Sequence, residues 1–223
     1  MWAWATASER TLWLAAYPRS GITMTRHLML SCFGLRSDSL YTDDRISAGY
    51  APILNAVPPD ANERDEIAAQ QGILPVKTHH LIPDNGQPAI VVVRDGRTTL
   101  QSLRDFYAEL CYRTETVTDL IEGTHPWGDW SAWIHSWKKR PGALWIRYED
   151  MRADLRATVV KIGEWLGREP VAFEMPSFRE LNAAHPFFFR RGNRTNDWSA
   201  ADEALFWARH GETMELLRYE KEQ

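Results

Sequence analysis

Short apolar runs alternate along this chain with segments of helical periodicity, and this alternation limits the possible folds more than any other feature. The run Ala-Ile-Val-Val-Val at 89–93 is rich in β-branched residues, which is typical of a strand buried on both faces of a sheet. Further strands are predicted at 11–17, 73–78 and 143–147, and helices at 23–33, 62–71, 98–110, 152–166 and 199–217. This order predicts an α/β fold, with three α/β/α layers around a central, mainly parallel sheet.

The length of the chain and the stretches between these elements are consistent with one domain. One hydrophobic core commonly serves a chain of 223 residues, so a single domain is predicted over the whole length. Two stretches rich in polar and turn-forming residues, 34–60 and 112–124, are predicted as surface excursions, the first with room for one short helix. Trp130, Trp133 and Trp137 recur at helical spacing, which predicts a helix that packs its apolar stripe into the core.

Charge and cysteine content restrict the compartment and the partners. A net charge of −4 argues against a general nucleic-acid binder, so an anionic ligand needs local arginine clusters. The two cysteines, Cys32 and Cys111, are too few for a disulfide framework and are expected to stay reduced. The N-terminus lacks a signal-peptide pattern, and no run of about 18 apolar residues occurs. We therefore expect a soluble, cytoplasmic protein that does not enter a membrane.

The loop at 17–23, Tyr-Pro-Arg-Ser-Gly-Ile-Thr, lies between a predicted strand and a predicted helix. Backbone N–H groups at a helix N-terminus favour an anion. Gly21 allows close approach of the backbone to a ligand. The hydroxyls of Ser20 and Thr23 and the guanidinium of Arg19 add donors. The loop therefore suits a phosphate, although it lacks the G-K-S/T of the common nucleotide-binding loop.

Two further segments carry arginines suited to an anion. Arg94 follows the strand at 89–93, and Ser102 lies on the next predicted helix, where both side chains can converge on one ligand. Later in the chain, Arg190 and Arg191 precede a glycine, a pattern suited to a clamp over a phosphate. Alone, the first segment also fits an arginine paired with a neighbouring carboxylate, and the second fits a solvated basic turn.

Together, these segments resemble the family of sulfotransferases that use 3'-phosphoadenosine-5'-phosphosulfate (PAPS). Family members carry Y-P-K/R-S-G-x-T, then R-D/N-x-K/R-x-x-x-x-S, and an R-K-G clamp before G-D-W. The matching residues here begin at Tyr17, at Arg94 and at Arg190, the last followed by Asn196-Asp197-Trp198. Two lesser matches lie between them, Lys77-Thr78-His79 and Tyr148-Glu149-Asp150-Met151. The resemblance spans roughly 12–198 with all five motifs in order.

The resemblance implies a nucleotide site formed by these motifs. The residues that would hold the 5'-phosphate are Arg19, Ser20, Gly21, Ile22 and Thr23. Those that would hold the 3'-phosphate are Arg94, Ser102, Arg190, Arg191 and Gly192. The adenine base would contact Tyr148, with Phe178 as a second candidate, and Met24 stands where many members have a tryptophan stacked on the base.

The resemblance also implies a catalytic set of His79, Arg19 and Ser102. In this hypothesis His79 is the general base, because an unperturbed histidine pKa of about 6.5 lies near the working pH. Arg19 would stabilise the leaving phosphate, and it replaces a lysine found in many members. Alternatively, His79 is a strand-end histidine satisfied by a backbone carbonyl.

The implied reaction is transfer of a sulfuryl group from PAPS to a hydroxyl of a small acceptor, without a metal. The other histidines show no metal-ligand spacing. Candidate acceptor-pocket residues are the aromatics Tyr41, Trp127 and 187–189, and for most of them packing in the core is the favoured alternative. Two alternatives remain open at this point: a P-loop-type kinase for a small substrate, and a non-catalytic nucleotide-binding relative. The sequence does not name the acceptor or the oligomeric state.

Overall fold

A parallel sheet forms the centre of the computed structural model, which describes residues 10–41, 54–57, 60–83, 86–111, 113–184 and 198–220. Its five strands are β1 (Thr11–Ala16), β2 (Asp38–Ser39), β3 (Leu74–Thr78), β4 (Ala89–Val93) and β5 (Leu144–Arg147). All described pairs are parallel, in the order β2-β3-β1-β4-β5. Ala15 of β1 pairs with Thr78 on one side and with Val91 on the other. The carboxyl ends of β1, β3 and β4 therefore meet at one edge of the sheet.

Helices cover both faces of this sheet. They are α1 (Ile22–Phe33), α2 (Ala61–Gln71), α3 (Gly96–Phe106), α4 (Val117–Glu122), α5 (Trp130–Lys138), α6 (Tyr148–Ala153), α7 (Leu155–Leu166), α8 (Phe178–Ala184) and α9 (Ala200–Leu216). Successive side chains of a strand point to opposite faces. Accordingly, Trp13 and Ala15 join a core cluster with α5 and α9, whereas Leu12 and Leu14 join a second cluster with α1 and α7. The predicted three-layer α/β/α fold is confirmed.

The strand and helix predictions hold in the regular regions. All five residues of β4 are buried, as the β-branched run predicts, and the tryptophan stripe of α5 is fully inside the core. Asp60 caps α2, since its side chain accepts hydrogen bonds from N–H groups of the first turn. The two cysteines are free, with Cys32 buried and Cys111 half-buried.

The sequence interpretation missed two short elements in the excursions and was wrong at two helix boundaries. The described part of 34–60 contains the short edge strand β2, and the stretch at 112–124 contains α4. The one short helix for which 34–60 has room stays a prediction, because residues 42–53 and 58–59 lie outside the described residues. The single helix predicted at 152–166 is two helices, because Asp154 adopts an extended conformation and its side chain caps α7. Finally, α3 begins two residues earlier than predicted and continues as one π-helical turn, Tyr107–Cys111.

Candidate active site

The loop after β1 has the backbone of an anion-binding turn. Arg19 and Gly21 both adopt positive φ angles, 71° and 105°. The Ser20 N–H donates to the Tyr17 carbonyl over 3.1 Å, which closes the turn, and α1 begins directly afterwards at Ile22. An arginine in the left-handed region is uncommon and costs energy that the surrounding structure must offset. The turn thus presents the N-terminus of α1 at the sheet edge where β1, β3 and β4 end.

Gly21 permits a close contact between this loop and α6. A Cβ atom added at Gly21 would lie 2.4 Å from Cδ2 of Tyr148, so the phenol ring packs directly against the loop. The guanidinium of Arg94 lies 4.8 Å from the centre of the same ring. The Tyr148 ring therefore contacts both the loop and the arginine that follows β4.

Replacing Gly21 with alanine is expected to destabilise the fold by roughly 2–4 kcal/mol, since a left-handed backbone disfavours a side chain and the methyl group would clash with Tyr148. Gly34→Ala is the matched control, because Gly34 also has a positive φ, 65°, but no atom within 4 Å of the added Cβ. Its expected cost is about 1 kcal/mol. Denaturant unfolding measures both values, and equal losses would contradict the packing of Tyr148 against Gly21.

Arg19 is held by residues of α3. Its Nε donates to Oγ of Ser102 over 3.2 Å, and its guanidinium lies 5.1 Å from the centre of the Phe106 ring. The Arg19 carbonyl accepts a hydrogen bond from Nη1 of Arg94, also over 3.2 Å. Arg19 and Arg94, which the resemblance assigns to the 5'-phosphate and the 3'-phosphate, are therefore in direct contact.

The remaining loop residues differ in environment. Ser20 is 1% exposed, and its hydroxyl has no hydrogen-bond partner among the described residues. Ile22 is buried in the core cluster of that face, and Met24 packs against the same cluster. Thr23 is half-buried at the start of α1. The buried hydroxyl of Ser20 is a donor or acceptor that a bound phosphate could satisfy.

His79 lies beside the end of β1, one residue beyond β3. Its Nδ1 is 2.6 Å from the carbonyl oxygen of Ala16. Because a carbonyl can only accept, Nδ1 carries the hydrogen, and Nε2 is left with the lone pair. A backbone carbonyl thus binds one ring nitrogen, as the alternative interpretation of His79 expects. The role of His79 as general base stays a prediction, and Nε2 is the nitrogen that could accept the proton.

The pKa of His79 was taken from the sequence to be near its unperturbed value, and this assumption was wrong. Burial lowers this pKa well below 6.5, and the positive charges of Lys77 and Arg19 lower it further, against the opposing effect of the Ala16 carbonyl. His79 is consequently neutral at pH 7. The effect of Lys77 also places its charge near His79, a role that the K-T-H motif could have suggested but that was not assigned from sequence.

Two aromatic residues surround His79. The Tyr41 ring stacks on the imidazole at 5.3 Å, and the Trp127 ring approaches it edge-on at 5.4 Å. Tyr41 also accepts the backbone N–H of His79 through its hydroxyl, over 2.7 Å. The ammonium of Lys77 lies 5.2 Å from the centre of the Tyr41 ring. Both aromatic candidates for the acceptor pocket that fall on described residues therefore lie next to the histidine.

The turn at 79–80 is fixed by core tryptophans. The indole N–H of Trp133 donates to the carbonyls of His79 and His80 over 2.9 and 3.0 Å, and Trp137 donates to His80 over 3.0 Å. The rings of His79 and His80 both stack on Tyr41. Both residues lie beyond the end of β3, where alternation no longer applies.

A buried hydrogen-bond network that no motif indicated supports Tyr17, at the start of the loop after β1. The Tyr17 hydroxyl donates to the Gly128 carbonyl over 2.7 Å and accepts from Nε2 of His125 over 2.9 Å. The Tyr107 hydroxyl lies 3.3 Å from Nδ1 of His125 and completes its hydrogen bonding. Burial lowers the pKa of His125, in keeping with its neutral form. The turn that carries Trp127 is thereby tied to the residue that precedes the loop.

Some predicted site residues cannot be placed. Arg190, Arg191 and Gly192 lie outside the described residues, as do the aromatics at 187–189. Phe178 begins α8, but its side chain also lies outside the description. In the part of the chain that the structure describes, no three metal-binding side chains cluster, and no helix is both long and apolar enough to cross a membrane.

Comparison with known proteins assigns the family. The family model of the sulfotransferase domain matches residues 9–183, more than half of the chain. The chain belongs to the sulfotransferase family. The recognition made from the five motifs is confirmed, and this family does not favour the kinase alternative.

The sulfotransferase relatives found by sequence match only part of their length. Sulfotransferase 1E1 of Rattus norvegicus is 40% identical over a segment that covers 30% of this chain and 26% of the relative. For sulfotransferase 1E1 of Homo sapiens the identity is 36%, with coverages of 25% and 20%. The chain therefore matches about a quarter of the length of these relatives.

Solved structures extend the likeness over nearly the whole chain. Mouse sulfotransferase SULT7A1, solved with PAP, has a TM-score of 0.68 at 20% identity, covering 95% of this chain and 89% of its own. Retinol dehydratase, solved with retinol and PAP, has a TM-score of 0.61 at 16% identity, with coverages of 98% and 84%. At these identities the likeness shows the shared fold.

Proposed function

We propose that this sulfotransferase moves a sulfuryl group from PAPS to a hydroxyl of a small-molecule acceptor. The observation that carries the proposal is the position of His79, whose Nδ1 is fixed by the Ala16 carbonyl at the carboxyl end of β1, where the phosphate loop begins. A proton acceptor and an anion-binding loop side by side are what transfer of a charged group to a hydroxyl requires.

The residues present fit a nucleotide with two phosphate ends. Arg19 and Gly21 form the loop for the 5'-phosphate, where the buried Ser20 hydroxyl lacks a partner among the described side chains. Arg94 lies at the carboxyl end of β4, and its guanidinium is a planar fork of donors suited to the 3'-phosphate. The structures of relatives that contain PAP, adenosine 3',5'-bisphosphate, support PAPS as the donor.

When bound, PAPS supplies the sulfuryl group: its bond to the 5'-phosphate oxygen breaks as the acceptor oxygen bonds to sulfur. His79 takes the acceptor's proton on Nε2 during this displacement. The Ala16 carbonyl keeps Nδ1 protonated and stabilises the positive charge that develops on the ring.

Arg19 and Lys77 supply positive charge to the reacting groups. Arg19 donates hydrogen bonds to the leaving phosphate and, since its guanidinium remains charged, does not donate a proton. Ser102 orients it through the bond to Nε. Lys77, whose charge acts on His79, adds positive charge beside the proposed acceptor site.

The acceptor is proposed to bind beside the contacting rings of Tyr41 and Trp127, next to Nε2 of His79. Aromatic faces suit an apolar small molecule with one hydroxyl. Retinol dehydratase has been solved with retinol and with androsterone, which supports a small-molecule acceptor for this chain. The metal-free chemistry and the cytoplasmic location expected from the sequence stay predictions.

The lowered pKa of His79 predicts an unusual acid limb of the pH profile. His79 accepts a proton only when neutral, and its pKa in the folded protein lies well below 6.5. Activity is therefore expected to persist as the pH falls through 6.5, and to be lost only when the pH reaches the lowered pKa. A profile of kcat/KM from neutral to acidic pH, run with a stability control at each pH, measures this. A half-loss centred at 6.5 would contradict the buried environment.

Radiolabelled PAPS tests the proposed transfer. The protein is incubated with labelled PAPS and a panel of phenols and alcohols that includes 4-nitrophenol, retinol and androsterone, and labelled ester and PAP are quantified. Formation of both products in equal amounts, without magnesium or ATP, is expected. Binding of PAP without transfer to any acceptor would favour the non-catalytic alternative, and phosphate transfer from ATP would favour a kinase.

A further inference from the structure

The carboxylate of Glu149 joins the turn after β4 to the C-terminal segment of the chain. One of its oxygens accepts the backbone N–H of Asp95 over 3.1 Å, and the other accepts the hydroxyl of Tyr219 over 2.8 Å. Tyr219 follows α9, the last described helix, and is 5% exposed. The Glu149 side chain thus holds Asp95, 54 positions earlier in the chain, and Tyr219, 70 positions later.

The Tyr219 hydroxyl is fixed as a donor in this arrangement. Burial raises its pKa, and the negative charge of Glu149 raises it further, so the phenol remains protonated. The guanidinium of Arg147 lies 4.2 Å from the centre of the Tyr219 ring, a cation–π contact that helps to hold the phenol in place. The Glu149 carboxylate therefore has a permanent partner that orients it toward Asp95.

The turn that Glu149 holds carries Arg94. Asp95 caps α3, since its side chain accepts the N–H groups of Arg97 and Thr98 over 2.8 and 3.2 Å. The side chain of Asp95 therefore binds the first turn of α3, and its backbone N–H donates to Glu149. Arg94, one residue earlier, leaves the strand in a direction set by these contacts.

Adjacent residues of α6 contact both sides of this turn. The ring of Tyr148 lies against the Arg94 guanidinium, at 4.8 Å, and the carboxylate of Glu149 binds the N–H of Asp95. Nη1 of Arg94 then reaches the Arg19 carbonyl in the phosphate loop. A shift of the turn would move the Arg94 guanidinium relative to that loop.

We propose that Glu149, oriented by Tyr219, is a positioning residue for the 3'-phosphate site. It does not contact the nucleotide; it fixes the backbone from which Arg94 extends. The inference rests on the proposed function, because it takes Arg94 as the ligand of the 3'-phosphate. It also assigns a role in the site to the C-terminal segment, which lies beyond the residues matched by the family model.

The test compares two nucleotides that differ only in the 3'-phosphate. Calorimetric dissociation constants for PAP and 5'-AMP give a ratio that reports the 3'-phosphate contact alone. Glu149→Ala is expected to lower this ratio about tenfold, which corresponds to about 1.4 kcal/mol. Glu149→Gln is expected to retain most of it, since the amide oxygen can accept from Asp95 and the Tyr219 hydroxyl can accept from the amide nitrogen. Tyr219→Phe is expected to lower it about threefold, since a hydrogen bond to a charged group is lost.

Glu164→Ala, which removes an exposed glutamate from α7, is the matched control and is expected to leave the ratio unchanged. Thermal unfolding checks that each variant is folded. If Glu149→Ala does not fold, the PAP to 5'-AMP ratios of Tyr219→Phe and Glu149→Gln are compared instead. An unchanged ratio in Tyr219→Phe and Glu149→Ala, or equal losses for both nucleotides, would overturn the positioning role. A wild-type protein without preference for PAP would instead overturn the proposed function.

Discussion

Replacing His79 with alanine is expected to lower kcat by about 10²–10⁴-fold, the usual contribution of a positioned general base. The bond from Nδ1 to the Ala16 carbonyl leaves Nε2 as the proton acceptor, and no other ring nitrogen has this arrangement at the end of β1 among the residues the structure describes. The affinity for PAP is expected to stay near the wild-type value, because the phosphate contacts are made by other residues. Steady-state kinetics with a responsive acceptor and calorimetry with PAP separate the two effects.

His80→Ala is the matched control for this substitution. His80 also stacks on Tyr41, at 5.5 Å, and removing it changes the same aromatic cluster. A much smaller loss of kcat is expected, because the fixed Nδ1 bond belongs to His79. Near-normal turnover in His79→Ala, or equal losses in both variants, would contradict the assignment of His79 as the base.

Replacing Arg94 with alanine is expected to weaken PAP binding by about 10²-fold or more, as truncation of a charged hydrogen-bonding partner commonly costs 2–5 kcal/mol. The loss for 5'-AMP is expected to be small and to reflect only the bond from Arg94 to the Arg19 carbonyl. Calorimetric titration with both nucleotides measures this difference.

Two further variants test why arginine is needed. Arg94→Lys keeps the charge but loses the planar fork, so an intermediate affinity for PAP is expected. Arg104→Ala removes a positive charge from α3, the helix that follows Arg94, and is expected to change little. If Arg94→Ala weakened PAP and 5'-AMP binding by the same factor, Arg94 would support the loop rather than bind the 3'-phosphate.

The sheet and the phosphate loop could be predicted from local sequence. The β-branched run of β4 is stable only as a strand covered on both faces. The residues Pro-Arg-Ser-Gly mark a turn between a strand and a helix. By contrast, β2 has only two residues, too few to produce a periodic signal. Aspartate favours helix N-caps over helix interiors, but the break at Asp154 was missed because its capping role depends on the conformation it adopts.

The missed parts of the site depend on contacts between distant residues. Tyr17 and His125 are 108 positions apart, and neither belongs to a pattern that would pair them. The same holds for Glu149 and Tyr219. The pKa of His79 was misjudged for a related reason. Burial is the main cause of the lowered pKa, and the sequence around a strand end does not reveal burial. Local motifs thus located the loop and the histidine, whereas their supports became visible only in the fold.

Calorimetric titration of the unmodified protein with PAP, 5'-AMP and magnesium-ATP distinguishes a sulfotransferase nucleotide site from a kinase site. The arginines at the carboxyl ends of β1 and β4 predict that PAP binds most tightly, by about 10²-fold or more over 5'-AMP, and without magnesium. Absence of PAP binding, or a clear preference for magnesium-ATP, would contradict the proposed sulfuryl transfer.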